Sequence, residues 1–303
     1  MEKDNYTRAE TRLKVSDGFE LYVQDWGNPH AKTSIIFLKG GPGGYCKQRD
    51  KGSFDPARDR VIFFDQRGCG QSTPYGQLEH NTTQKMIADI SAVADHFGLK
   101  AFALRGTSWG SCLALAYALE HSSRVATLFI GGVFTGSQKE IDWLDNGRFK
   151  TFYPEVWQQF LKGTPKQFQH DPAAYHYEKV LKGTPEEIKK SAYAYACLEG
   201  GAIKLDDRFI PEDFADFDPI PMQIEMTYLA NRCFLPERHI LDNAHKLTMP
   251  VYIVQGRYDM VCPPETAWEL HQKLPNSELY WTLAGHLVEH ESVNIFKSLY
   301  GRL

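Results

Sequence analysis

The sequence lacks the features of a membrane, secreted or nucleic-acid-binding chain. No run approaches the roughly 20 apolar residues that a bilayer-spanning helix needs. The opening Met1-Glu2-Lys3-Asp4-Asn5 has no basic-then-apolar layout of a secretory leader. The six cysteines, at 46, 69, 112, 197, 233 and 262, form no C-x-x-C pair, and no His/Cys/Asp set has metal-ligand spacing. These absences predict reduced thiols in a cytoplasmic protein without a bound metal. Charge of one sign is also scarce: 34 Lys and Arg against 38 Asp and Glu give a net charge of -4. No nucleic-acid or anionic-membrane footprint follows from that balance. There is no internal repeat and no low-complexity tract. What remains is 303 residues of ordinary globular composition, enough for one large α/β domain with a sizeable insertion.

The most informative stretch is Gly106-Thr107-Ser108-Trp109-Gly110. An apolar run, Ala101-Phe102-Ala103-Leu104, precedes it, and an Ala/Leu-rich run from Cys112 to Leu119 follows. The pattern is strand, tight turn, helix, with G-x-S-x-G in the turn. A serine at such an apex must tolerate strained backbone angles, and the flanking glycines let strand and helix pass without a Cβ clash. A serine that merely caps a helix is the plainer alternative.

Around this stretch the chain alternates strands and helices. Thr11 to Val15 and Leu21 to Trp26 read as a hairpin about Asp17-Gly18. Ser34 to Leu38 and Val61 to Phe64 are solid apolar runs, as central parallel strands require. Met86, Ile87, Ile90, Val93 and Ala94 recur at helical spacing after a cap at Asn81 or Thr82. A strand follows at Val125 to Ile130. The rhythm resumes with a strand at Val251 to Val254, a helix at about 264–273, a strand at Leu279 to Leu283 and a terminal helix. The intervening block is rich in Trp, Tyr, Phe, Gln and Lys and broken by prolines. The expected architecture is an α/β doubly wound, mostly parallel sheet of the α/β-hydrolase type. Its core is expected over 1–136 and 246–303, with a mostly helical cap inserted over 137–245.

A nucleophilic serine needs a base, and the base needs an orienting acid. Asp259 and His286 each lie just past a predicted strand, giving the order Ser108, Asp259, His286. His290, one helical turn later, is the rival base. Eight other histidines, at 30, 80, 121, 170, 176, 239, 245 and 271, sit among polar residues and are expected to be solvated. An oxyanion needs two backbone donors. The N–H of Trp109 is one, and Gly41, in Gly40-Gly41-Pro42-Gly43-Gly44, is the expected second. That loop has neither nucleotide-binding glycine layout, so no cofactor is expected. Two carboxylates stand out in the insertion, Glu199 and Glu225, both among apolar neighbours. Each needs a cation. From the residues alone, an internal salt bridge to Arg232 or Arg208 is favoured over a substrate ammonium.

Taken together, these segments resemble the proline iminopeptidases, serine peptidases of the α/β-hydrolase fold. The glycine loop, Phe63 to Ser72, Asn81-Thr82-Thr83, Ser108-Trp109-Gly110-Ser111, Gly256-Arg257-Tyr258-Asp259 and Ala284-Gly285-His286 carry the likeness over nearly the whole chain. The resemblance implies that Ser108, Asp259 and His286 form a triad and that Gly41 and Trp109 shape the oxyanion hole. It implies that Glu199 and Glu225 hold the free α-amino group of a short peptide, reversing the salt-bridge preference. It also implies that Phe134, Cys262 and Tyr228 line the pocket for the proline ring. The chain departs from the family pattern at Lys39, usually His, at Leu229, usually Phe, and at Leu144, where an aromatic is usual. An esterase or amidase on the same scaffold is the alternative function, with a non-catalytic binding protein behind it. The sequence leaves the oligomeric state open.

Overall fold

In the computed structural model, residues 1–203, 205, 213–287 and 290–303 are described. Arg208 therefore lies outside them. Eight strands form one sheet: β1 (Thr7–Lys14), β2 (Glu20–Gly27), β3 (Ser34–Leu38), β4 (Arg60–Phe64), β5 (Phe102–Ser108), β6 (Val125–Val133), β7 (Val251–Gly256) and β8 (Ser277–Thr282). Their order is β1-β2-β4-β3-β5-β6-β7-β8, antiparallel from β1 to β4 and parallel from there onward. The doubly wound, mostly parallel sheet expected from the sequence is present.

The buried pattern explains the pairing. All five residues of β3 are buried, so the strand must be covered on both faces. On one face it meets a core that includes Met86, Ile90 and Val93 of α1 (Thr83–His96) and Leu113 and Tyr117 of α2 (Trp109–Glu120). On the other, Phe37, Phe54, Phe63 and Phe129 pack with Phe296 and Tyr300, near the end of the chain. Thr82 caps α1 by accepting a hydrogen bond from the Lys85 amide at 3.4 Å.

Between β6 and β7 run α3 (Gln138–Asp145), α4 (Pro154–Gly163), α5 (Pro172–Lys182), α6 (Pro185–Ile203), α7 (Ile220–Ala230) and α8 (His239–Asn243). Three of the prolines that interrupt the pattern there begin helices. Pro154, Pro172 and Pro185 are first residues of α4, α5 and α6, where a missing N–H costs nothing. The helix α9 (Pro264–Lys273) separates β7 from β8, and α10 (His290–Tyr300) closes the fold. One histidine expectation fails here. His176 is buried, with its ring nitrogens 3.0 Å from the Thr164 and Ser191 hydroxyls, because α5 packs against α6 at that point. Burial pushes its pKa down to about 4.

Candidate active site

The strand-to-helix turn after β5 is as tight as the glycine spacing suggests. Ser108 has φ 56 and ψ -131, a conformation that a non-glycine residue keeps only when its surroundings enforce it. A Cβ on Gly106 would lie 2.1 Å from the Gly110 carbonyl oxygen, and one on Gly110 would lie 2.2 Å from that of Leu38. Neither position accepts a side chain. The Ser111 hydroxyl donates to the Ser108 carbonyl at 2.7 Å and accepts from the Phe134 amide at 3.0 Å, tying the elbow to the end of β6.

Asp259 and His286 meet beyond the ends of β7 and β8. His286 Nδ1 lies 3.0 and 2.9 Å from the two Asp259 carboxylate oxygens. Asp259 is buried and further held by the amides of Val261 (3.0 Å) and Cys262 (2.7 Å) and by Gln255 Nε2 (3.2 Å). With Nδ1 turned to the carboxylate, Nε2 is the nitrogen left for the site. Burial alone would push the His286 pKa down. The charge of Asp259, its hydrogen bond and the charge of Glu199 outweigh burial and hold it above the ordinary histidine value. Ser108 and His286 line the same cleft, although no hydrogen bond joins their side chains. The rival, His290, is exposed at the start of α10.

Several residues that the sequence did not single out hold this geometry. Gly132, with φ +47, sits against the pair: a Cβ there would be 3.2 Å from His286 Cε1 and 3.5 Å from Asp259 Oδ2. Gln255 joins the Asp259 carboxylate to the Cys262 carbonyl and accepts from the Val133 amide. Gln66 accepts from the Trp109 indole at 3.1 Å and donates to the Lys39 carbonyl at 3.0 Å, so it ties the glycine loop to the elbow. A lone Gln or Gly carries no chemistry that spacing would reveal. The only signal was the place of Gln66 in Asp65-Gln66-Arg67-Gly68.

A pocket of about 450 Å³, its open mouth included, opens beside Ser108. Phe134, Leu144, Tyr195, Leu229 and Cys262 supply its wall, and Glu199 and Glu225 reach into it. Gly41, at φ +63, borders it, and a Cβ there would stand 3.3 Å from Glu225 Oε2. Tyr228 sits elsewhere. It is buried behind Trp109, with ring centroids 5.0 Å apart, and its hydroxyl donates to Asn81 Oδ1 at 2.9 Å. Alternation around α7 turns Leu229, not Tyr228, to the pocket. Tyr195 was not anticipated there. Its hydroxyl, with that of Tyr177, donates to Asp145 at 2.8 and 2.7 Å.

The two acids come from different helices, Glu199 from α6 and Glu225 from α7. Among the described residues neither has a Lys or Arg within ion-pair distance. Arg232 is exposed and not engaged with them. Burial raises the pKa of Glu199, opposed by the nearby His286 charge and a hydrogen bond from Glu225. Burial and the charge of Glu199 drive Glu225 well above the carboxylate range. The two acids thus titrate together and resist being charged at the same time. Glu140 also reaches the pocket but is satisfied internally by the Thr135 and Ser137 amides, both 3.0 Å away. Lys39 is bound to both carboxylate oxygens of Asp50, at 2.8 and 2.9 Å, so its charge is neutralised at the mouth.

Fold and comparison agree on the class. Residues 33–288 match the family model described as alpha/beta hydrolase fold, and the structure superimposes on an esterase from Exiguobacterium antarcticum with a TM-score of 0.66 and 20% identity, covering 97% of this chain and 98% of that one. The molecule is an α/β hydrolase. It is 36% identical to a probable proline iminopeptidase of Leptolyngbya boryana, over 88% of this chain and 84% of the relative. It is 37% identical to the proline iminopeptidase of Neisseria gonorrhoeae, over 90% of this chain and 89% of the relative. The chain belongs to the proline iminopeptidase family and is a hydrolytic enzyme.

Proposed function

We propose that the protein is a serine aminopeptidase that removes the N-terminal residue, preferentially proline, from short peptides with a free N-terminus. The observation that carries this reading is the pair of facing acids, Glu199 and Glu225, with which no Lys or Arg among the described residues pairs, in the pocket that holds Ser108. An uncompensated carboxylate pair is costly and is relieved by an incoming ammonium. An ester or a blocked amide brings no such group.

In this reading His286 Nε2 takes the Ser108 proton as Oγ attacks the first peptide carbonyl. Asp259 fixes the tautomer and stabilises the imidazolium that forms. The N–H groups of Trp109, at the head of α2, and of Gly41 receive the oxyanion, where one lost donor typically costs about 2.7–4 kcal/mol. His286 then protonates the leaving amine, and water releases the acyl group by the same route. Phe134, Leu144, Leu229 and Cys262 receive the ring of the first residue. The aliphatic side chains at 144 and 229 leave that pocket wider than aromatic rings would, so alanine is accepted beside proline. Glu199 and Glu225 set the depth at which the chain must end, and the helices above exclude longer chains from that end. The six unpaired cysteines support a reducing, cytoplasmic setting. No helix among the described residues is long and apolar enough to cross a membrane.

The test is a comparison of proline naphthylamide with its N-acetyl form. Blocking the amine is expected to lower kcat/KM by at least a hundredfold. Equal turnover of the two would contradict amine recognition.

A further inference from the structure

Arg105 lies on β5, three residues before Ser108, on the face of the sheet covered by α10. It is 2% exposed. Its Nε donates to the Tyr300 hydroxyl at 2.9 Å, and its guanidinium lies 3.7 Å from the centroid of the Phe296 ring. Its Nη1 is buried with no hydrogen-bond partner, and among the described residues no carboxylate pairs with it. A buried arginine ordinarily has both a carboxylate and filled donor sites. Arg105 also lines the cleft that leads away from Ser108 and His286, about 1440 Å³ including its mouth. At the lip stands Arg49, exposed and likewise without an ion pair among the described residues. Lys39 and Asp50 on the same lip cancel each other. Among the described residues the cleft thus has one end that is acidic, at Glu199 and Glu225, and another whose unpaired charges are both positive.

From this polarity we infer that Arg105 and Arg49 receive the free C-terminal carboxylate of the leaving peptide, so that the site is matched to short peptides with both termini charged. The inference rests on the aminopeptidase reading for which end of the substrate enters the acidic pocket. Strand geometry puts the Cα of Arg105 about 10 Å from that of Ser108, and an extended peptide spans roughly 3.3–3.6 Å per residue. A leaving group of two or three residues therefore carries its carboxylate into this part of the cleft. A planar carboxylate fits the two free N–H directions of a guanidinium better than it fits an ammonium.

The experiment measures binding of Pro-Ala-Ala as the free acid and as the C-terminal amide to the full-length Ser108→Ala protein by calorimetry. The acid is expected to bind at least tenfold more tightly. Arg105→Met in the same background should bring the acid-to-amide ratio to within threefold of one, and Arg49→Gln should lower it in part. Equal binding of acid and amide to the Ser108→Ala protein overturns the inference, as does an unchanged ratio in both arginine variants. Should Arg105→Met not fold, the exposed Arg49→Gln and the parent ratio decide. Hydrolysis of proline naphthylamide by the wild type separates the two readings. Cleavage without an acid preference removes the anion site alone, whereas an acid preference without any cleavage removes the peptidase reading and leaves the anion site standing.

Discussion

The acid pair gives the sharpest energetic expectation, in the contrast between single and double replacement by glutamine. Burial and their facing charges disfavour ionisation of both acids at once, so the empty pocket is expected to carry about one negative charge. Glu225→Gln replaces one acid by a neutral group of the same shape and leaves the Glu199 carboxylate in place. Glu199→Gln removes the charge that disfavours ionisation of Glu225, so Glu225 ionises more readily and takes over. Either single variant should lose about tenfold in kcat/KM on proline naphthylamide, the scale of one hydrogen bond to a charged group. The double variant has no charge to offer. One unit charge at 4 Å from an ammonium is worth about 4 kcal/mol at an effective dielectric near 20, and about half that where water enters the mouth, so the loss is roughly 30- to 1000-fold. The loss on a short uncharged ester, measured on the same preparations, should be smaller by at least an order of magnitude. Either single variant losing as much as the double would refute the idea that one acid can stand in for the other. A double variant within threefold of wild type on the free amine would refute the role of the pair altogether.

Other expectations follow from the surroundings of His286 and from the helical block. Gly132→Ala sets a methyl 3.2 Å from His286 Cε1 at a residue with φ +47, and should lower kcat by ten- to a hundredfold with little change in KM; wild-type kcat would contradict the placement. Asp259→Asn should reduce kcat by about four orders of magnitude, as loss of the orienting acid does in serine proteases of other folds. Because the Glu199 charge helps hold the His286 pKa up, Glu199→Gln should move the acid limb of kcat/KM to lower pH; a limb that stays put or rises argues against contact between the two. His176, held near pKa 4, binds a proton more readily once unfolded, near 6.5, so the fold loses stability as pH falls from about 6.5 to 4. Replacing it in His176→Gln should flatten that part of the thermal-stability profile by an amount of order 3 kcal/mol, and an equally steep profile would exclude His176 as the source.

The frame was legible because the central strands, such as β3 and β4, were solid apolar runs. Ser34 to Leu38 appears as β3 without change of boundary. The elbow was legible for a steric reason, since Gly106 and Gly110 have no room for a Cβ. Residues that act through a partner distant in sequence were not legible. Gln255 and Gly132 gain their meaning only when β6 and β7 lie side by side, and their spacing advertises nothing. Tyr228 and Leu229 show the same limit from the other side. Both looked available on α7, but neighbouring residues on a helix point about 100° apart, and only tertiary packing decides which one sees the pocket. His176 was misjudged because hydropathy of neighbours reports the average of a helix and not the face on which one ring lies. Arg105 is a single charge inside an apolar strand, and such a charge reads in sequence as an interruption.

The most direct test of the account is a paired measurement on wild type and Ser108→Ala. The kcat/KM for proline naphthylamide is compared with that for its N-acetyl form and for a short ester. The account expects the free amine to be preferred by at least a hundredfold, and all three activities to vanish in Ser108→Ala. A blocked amide or ester turned over as well as the free amine, or activity surviving in Ser108→Ala, would contradict it.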